Sequence, residues 1–393
     1  MTFVIDRLPT PVRNLVRLTV GGGIRDEVHT PHTTLHSDRH RVLRRYGDLD
    51  QLACARDAGD IPVLLLPPLA APAACYDLEP DHSYVGHLLG QGRIPYVVDY
   101  GEMDRTDRGL GFEGFIDDII PLAIARVLAD FDGSTGVVDL VAWSLGGTVA
   151  LLTVAADPGL PVRSITAIGT PLNYGLVPPY PLVRQLTAKT GPRPVTATLT
   201  ALRGIPAPLV QIAYRGTAWQ RELKKPWFIM NNLSDTDTLA RMEVVNRFQR
   251  RFPGYPGRLS EQMWEQFIYH DELAGGVVNF GDRRIDLTTI EVPVQLFGSH
   301  RDVIVPWAAA RHGVELLAQS SQVHFNTVEA SHLGLIAGPA AESQTWPRID
   351  AFHTALDDRD HPDDQDSPDQ DSADSISDAV RSAASRSAGT SGP

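Results

Sequence analysis

Three residues of this chain have the types and the order that acyl chemistry needs: Ser144, Asp302 and His332. Ser144 follows the apolar run Val137-Val138-Asp139-Leu140-Val141-Ala142-Trp143. It precedes Leu145-Gly146-Gly147-Thr148-Val149-Ala150-Leu151-Leu152. A β-branched apolar run that meets a serine and passes through two glycines into an alanine- and leucine-rich segment reads as a strand, a sharp turn and a helix, the arrangement called a nucleophile elbow. Such a turn needs small neighbours where the backbone crowds itself, and Ala142, Gly146 and Gly147 supply them. The usual pattern is G-x-S-x-G, and Ala142 stands at its first glycine. A serine among small residues also occurs in ordinary loops. What separates the two readings here is the buried strand that precedes it.

At the N-terminus of the following helix the Leu145 N–H is free to face an oxyanion, and the helix dipole favours negative charge there. A second donor belongs in the loop after residues 61–66, a continuous apolar strand that breaks at Pro67-Pro68-Leu69-Ala70-Ala71-Pro72. Proline cannot donate, so Leu69, or Ala70 beside it, is the candidate N–H. A plain surface turn is the alternative there. Residues 292–297 form another strand running into Gly298-Ser299-His300-Arg301-Asp302-Val303-Ile304-Val305-Pro306, and residues 322–328 a further one running into Glu329-Ala330-Ser331-His332-Leu333-Gly334. His332 would take the Ser144 proton and later return it, while Asp302 holds the imidazole tautomer and stabilises its charged form. Singly, a loop aspartate is usually a turn residue and a lone histidine structural. Three residues, each after its own strand and in the order Ser, acid, His, point to a triad. His300, on the acid loop, is the nearest competitor for the base.

These groups need a scaffold, and the chain is long enough to supply one. Its 393 residues suit one large domain with an insertion, or two domains. Hydrophobic residues make up 42%, and no run reaches the roughly 18 apolar residues of a membrane span. Residues 1–23 lack the uninterrupted apolar core of a signal peptide. With only Cys54 and Cys75, a disulfide framework is excluded and a reducing cytoplasm is expected. The net charge of −13 is unevenly spread. Residues 357–393 hold ten Asp against three Arg and no aromatic residue, which reads as a disordered acidic tail. Residues 181–260 hold thirteen Lys or Arg against Glu222, Asp235, Asp237 and Glu243.

Along the chain, residues 12–18 read as helix. The histidines His29, His32, His36 and His40 lie in threonine-rich alternation that reads as two short strands. Period-2 spacing would divide them between faces, so no metal site is expected. Residues 82–89 read as helix and 95–99 as buried strand. Phe112, Phe115, Ile116, Ile119, Ile120, Ala123, Ile124, Val127, Leu128 and Phe131 keep the three-and-four spacing of a core-facing helix, with Pro121 a source of a kink. Residues 164–169 add a strand. Alternating strands and helices with continuous apolar strands imply an α/β protein with a mainly parallel central sheet flanked by helices. The alternation stops at Thr170 and resumes at residue 292. The intervening segment, with helical stretches near 238–250 and 260–270 and a hairpin at 277–287, reads as a large helical cap between the strands at 164–169 and 292–297. A helix at 306–317 and a final one near 339–356 follow. The expected organisation is therefore an N-terminal helical extension (1–27), a core in two parts (28–172 and 287–356), the cap (173–286) and the tail.

The segments Pro67-Pro68-Leu69, Tyr76-Asp77-Leu78-Glu79-Pro80-Asp81-His82-Ser83, Val97-Val98-Asp99-Tyr100-Gly101, Trp143-Ser144-Leu145-Gly146-Gly147, the acid loop 298–306 and Ser331-His332-Leu333-Gly334 resemble the polyhydroxyalkanoate synthase family of α/β-hydrolase-fold proteins. The resemblance runs from about residue 30 to residue 355, cap included. It implies the α/β-hydrolase fold, a capped site and a triad. It also implies hydroxyacyl transfer from coenzyme A onto a polyester through a cysteine nucleophile. Here Ser144 stands where that cysteine belongs.

A thiolate is a strong nucleophile and a good leaving group, suited to repeated exchange between thioesters and alcohols. A serine ester passes more readily to water or an alcohol. The expectation is therefore a serine esterase, lipase-like hydrolase or acyltransferase acting on fatty or hydroxyacyl esters or thioesters. Polyhydroxyalkanoate-synthase-type use of hydroxyacyl-CoA is the alternative, and a non-catalytic binding protein that keeps the fold is a second. The basic cap is either a solvated surface or an attractor of an anionic partner: coenzyme A phosphates, an acidic acyl carrier, or a membrane, lipid-droplet or polyester-granule surface on which the protein would sit peripherally. No glycine-rich phosphate loop or nucleic-acid module is present, so neither a nucleotide cofactor nor nucleic acid is expected. The oligomeric state stays open, a dimer included.

Overall fold

A computed structural model describes residues 8–20, 23–25, 27–133, 135–216 and 219–360. The chain divides into two units, 1–347 and 348–393. The first holds every candidate residue named above. In the second, the described residues continue a helix, Trp346–Asp360. That helix runs beyond Asp357, where the acidic tail was expected to begin, and the tail from residue 361 onward lies outside the described residues.

Eight strands form the main sheet: β1 (His32–His36), β2 (Val42–Tyr46), β3 (Val63–Leu66), β4 (Pro95–Asp99), β5 (Val138–Trp143), β6 (Val162–Ile168), β7 (Val294–Gly298) and β8 (Val323–Thr327). Their spatial order is β1-β2-β4-β3-β5-β6-β7-β8. Only β1 and β2 run antiparallel to their neighbours; β4, β3, β5, β6, β7 and β8 are mutually parallel. This is the α/β-hydrolase fold. Every residue of β3, β5 and β7 is buried, which is why those strands read as apolar runs interrupted only by Asp139 and Gln295: helices cover both faces and leave no solvent side to alternate toward.

Register fixes which loop ends meet. Leu66 pairs Ala142, Ala142 pairs Ala167, and Phe297 pairs Ile168. The ladder continues past the strand ends, with Ser144 N–H donating to Ile168 O at 2.8 Å, Gly169 N–H to Phe297 O at 2.9 Å and Val328 N–H to Gly298 O at 3.0 Å. Four successive parallel strands thus release their C-terminal loops along one edge, the edge at which sites of open α/β sheets form. At the opposite end Asp139, fully buried, accepts from Arg163 Nε at 3.0 Å and from Ser164 Oγ at 2.6 Å, binding β5 to β6.

The periodic segment from Phe112 is helical to Phe131, but residues Phe115–Ile119 form a π turn ahead of Pro121. That turn is closed by Ile120 N–H donating to Phe115 O, and Pro121, with no N–H of its own, stands in the first turn of the α-helix that follows, where none is required. The histidine-rich stretch yields a single strand, β1; the second begins only at Val42, because His40 adopts a positive φ of 61° and sends its ring to Tyr100 O and Asp107. The helix expected at 306–317 is two short ones, Trp307–Arg311 and Gly313–Leu316.

Between β6 and β7 lie helices Tyr180–Thr187, Arg193–Leu202, Ala207–Gly216, Trp219–Asn231, Thr236–Arg250 and Gly257–Gln262, and a hairpin of Val277–Phe280 with Arg283–Asp286. The first four helices were not anticipated. Their prolines read as breakers but stand at the start of the first two, where a missing N–H costs nothing. Thr236–Arg250 is held from outside by the N-terminal helix Thr10–Thr19. Asn14, fully buried, donates to Leu233 O at 2.9 Å and to Thr236 Oγ1 at 3.1 Å, and Ile24 N–H donates to Glu243 Oε2 at 2.6 Å.

Candidate active site

Ser144 links β5 to the helix Leu145–Ala156 at φ 55° and ψ −128°. An L-residue pays for that conformation, and strain of this kind gathers where a side chain must be aimed. The helix can start so abruptly because Gly146 has no side chain: a Cβ there would lie 2.5 Å from Leu66 O and 2.6 Å from Pro67 O. The loop after β3 therefore packs directly on the first turn of the helix. Ala142 is accepted at the position usually glycine because it lies inside β5, buried and paired on both sides.

The partially buried Ser144 Oγ lies 2.9 Å from His332 Nε2, and His332 Nδ1 lies 2.6 Å from Asp302 Oδ2. A carboxylate only accepts, so Nδ1 carries the ring proton and Nε2 is left to accept from the serine hydroxyl. The Asp302 carboxylate is wholly enclosed, and the imidazole nearly so. The other carboxylate oxygen, Oδ1, accepts from Ile304 N–H at 2.8 Å and Val305 N–H at 2.9 Å. Those two amides compensate the buried charge and fix the carboxylate plane.

Two positioning residues carried no signal beyond their neighbourhood. Ser299, fully buried, donates to Ala330 O at 2.6 Å and accepts from Ala330 N–H at 3.2 Å and Arg301 N–H at 3.0 Å, joining the acid loop to the His332 loop. The Trp143 indole donates to His332 O at 3.2 Å, and its ring lies 5.1 Å from the imidazole. A serine and a tryptophan beside expected triad residues were the available hints. His300 takes no part: it is exposed and stacks on Trp307, ring centroids 4.9 Å apart.

Among the described residues, no acceptor faces the N–H of Leu145 or of Leu69 outside regular helix bonding. Leu69 is fully buried in a turn closed by Ala71 N–H to Pro68 O at 3.1 Å. Tyr76 donates to Leu66 O at 2.8 Å and so fixes the start of that loop. Cys75 beside it is buried, and burial pushes its thiol well above the ordinary range. Cys54 is exposed.

A cleft of ≈ 240 Å³ has His332 in its wall, together with Val303 and Ile304 of the acid loop and Arg241, Val244 and Val245 of the cap helix Thr236–Arg250. The same helix places Phe248 over Trp143, ring centroids 6.4 Å apart, and Phe252 continues the aromatic contact to Tyr214. The cap thus covers the end of β5 with apolar surface and leaves an opening beside the imidazole. Among the described residues no group of His, Cys, Asp and Glu is placed to hold a metal ion, and no helix is long and apolar enough to cross a membrane.

No family model matches the chain. It is 24% identical over 328 residues to the poly(3-hydroxyalkanoate) polymerase subunit PhaC of Allochromatium vinosum, covering 81% of this chain and 87% of that one. To the subunit of the same name from Cupriavidus necator it is 24% identical over 296 residues, covering 72% of this chain but only 48% of the other. Among solved structures, the mouse alpha/beta hydrolase domain-containing protein 10 aligns with a TM-score of 0.46 at 15% identity, over 83% of this chain and 99% of that one. A monoacylglycerol lipase of Paleococcus ferrophilus aligns with a TM-score of 0.45 at 15% identity, over 75% and 96%.

Proposed function

We propose that this PhaC-like α/β-hydrolase, an enzyme of acyl transfer or acyl hydrolysis, works as a serine acyl hydrolase or acyltransferase through Ser144, His332 and Asp302. The observation that carries the reading is the unbroken relay from Ser144 Oγ through His332 to Asp302, at 2.9 Å and 2.6 Å, behind a serine held at positive φ. Ser144 Oγ attacks the carbonyl carbon of an ester or thioester as its proton passes to His332 Nε2. The imidazolium faces the Asp302 carboxylate, whose charge stabilises it. The carbonyl oxygen, now an anion, takes hydrogen bonds from the Leu145 N–H, reinforced by the helix dipole, and from the Leu69 N–H. Collapse of the tetrahedral adduct expels the alcohol or thiol, which receives the proton from Nε2. Water or an alcohol then enters by the same steps in reverse and releases the acyl group.

The apolar side chains that the cap sets over β5 and along the cleft, Phe248, Val244 and Val245, suit fatty or hydroxyacyl groups. The PhaC names of the relatives favour a second reading, hydroxyacyl transfer from coenzyme A to a growing polyester. The serine weighs against it, because an oxygen ester returns poorly to a thiol. The first test is a fluorophosphonate probe read by peptide mass: label at Ser144, absent in Ser144→Ala, supports the reading, and a folded protein that takes no label refutes it. Turnover of triglyceride, a short p-nitrophenyl ester and a hydroxyacyl-CoA, with and without an alcohol acceptor, then separates the hydrolase from the transferase. Acceleration of coenzyme A release by the alcohol marks transfer. Polyester formation gained in Ser144→Cys would show that the nucleophile alone separates the two activities.

A further inference from the structure

The cap exposes apolar side chains of a size that folding normally buries. Trp227 is 73% exposed, Ile212 63% and Met230 62%, with Leu209 and Phe228 also exposed. Leu209 and Ile212 stand three apart on helix Ala207–Gly216, and Trp227 and Met230 three apart on helix Trp219–Asn231. Each pair therefore lies along one side of its helix. The two helices pack against each other. Single exposed leucines need no explanation, but large side chains concentrated on neighbouring helices mark an interaction surface. Lys224, exposed, stands three residues before Trp227 on the same helical stripe.

Charge decides between the occupants. Residues 181–260 carry nine net positive charges in a chain whose total is −13. Arg184, Arg247, Arg251 and Arg258 pair with acids outside that segment, whereas Lys224 on the face itself, and Lys189, Arg193 and Arg203 elsewhere on the cap, are exposed with no ion pair among the described residues. A symmetric pairing of two copies through this face would set the Lys224 side of one copy against its own image, within a segment of net positive charge. An anionic surface complements it. Tryptophan prefers the boundary between water and hydrocarbon, and lysine or arginine beside such a side chain is the composition of segments that lie on an anionic bilayer.

We propose that the cap face formed by helices Ala207–Gly216 and Trp219–Asn231 docks onto an anionic phospholipid surface, with Trp227, Met230, Leu209 and Ile212 entering the headgroup boundary and Lys224 contacting phosphate. The acidic remainder of the chain is repelled by the same surface, which orients the cap toward it. The inference does not depend on whether Ser144 is a nucleophile.

The test is co-sedimentation of the full chain with vesicles of phosphatidylcholine alone or mixed with phosphatidylglycerol, at low and raised salt, alongside a triolein emulsion. The expected result is about tenfold or greater preference for the anionic vesicles, lost as salt rises. Trp227→Ser combined with Met230→Ser should weaken vesicle binding about tenfold while the melting curve stays unchanged, since neither side chain is buried. Lys224→Glu should remove the preference for anionic lipid. Equal binding to neutral and anionic vesicles, or to triolein alone, overturns the proposal. So does a concentration-dependent dimer that Trp227→Ser abolishes in a protein that ignores vesicles, because the face then pairs copies.

Discussion

Replacing Ser144 by glycine and, separately, by alanine divides the strain of the elbow from its chemistry. At φ 55° and ψ −128° the serine Cβ is crowded by its own backbone, a conformation that costs about 1–3 kcal/mol in a non-glycine residue. Both replacements remove Oγ and its 2.9 Å contact with His332 Nε2, so the two variants differ in backbone preference alone. Glycine relieves the strain but loses about 0.5–1 kcal/mol through the greater freedom of its unfolded chain. Ser144→Gly should therefore exceed Ser144→Ala in stability by roughly 0.5–2 kcal/mol. In a chain of this size, with an unfolding entropy of about 0.8 kcal/mol/K, that is a rise in Tm of roughly 0.6–2.4 °C, measurable by calorimetry or by urea midpoints at equal slope. Both variants should lose turnover by about a millionfold on the proposed mechanism. An alanine variant as stable as the glycine one would refute the strained turn, and with it the claim that the fold aims this hydroxyl.

Three further outcomes follow from the geometry. In Asp302→Asn the amide oxygen must stay with the Ile304 and Val305 N–H groups, so the amide nitrogen turns to His332 Nδ1 and forces the tautomer that cannot accept from Ser144; kcat on a p-nitrophenyl ester should fall about 10⁴-fold, and a loss below tenfold would sink the assigned role. Gly146→Ala places a methyl 2.5 Å from Leu66 O, which should lower stability by about 1–3 kcal/mol; an unchanged urea midpoint would show that the loop does not approach the helix as described. Maleimide at mildly alkaline pH should modify exposed Cys54 in the native protein and Cys75 only after denaturation, because burial keeps the Cys75 thiol protonated above its ordinary range; intact mass counts the adducts, and native labelling of Cys75 would contradict its burial.

Much of the fold was legible because its signals are local. β4 matches the strand read at 95–99, and β5, buried at every residue, is apolar except at Asp139 for the reason a two-sided strand must be. The glycines after Ser144 announce the crowded turn. The first cap helices were hidden because proline is a breaker inside a helix and a good opening residue at its start, and a sequence does not say which position it holds. Two of the four segments open on proline in this way, the fourth carries Pro226 inside its helix, and all four were read only as proline-rich insertion.

What the sequence alone determined is the inventory and its order: a serine after one buried strand, a carboxylate after another, an imidazole after a third. Which of these groups meet was decided by tertiary structure. Ser144 and His332 lie 188 positions apart in the chain and Asp302 and His332 30 apart, distances over which periodicity carries no information. Parallel register along β5, β6, β7 and β8 brings those loops to one edge, Ser299 joins two of them, and His300 is turned away onto Trp307. The contacts exist only once the sheet has closed its ladder, because hydrogen bonding between strands, and not the local chain, sets how far apart their ends can be.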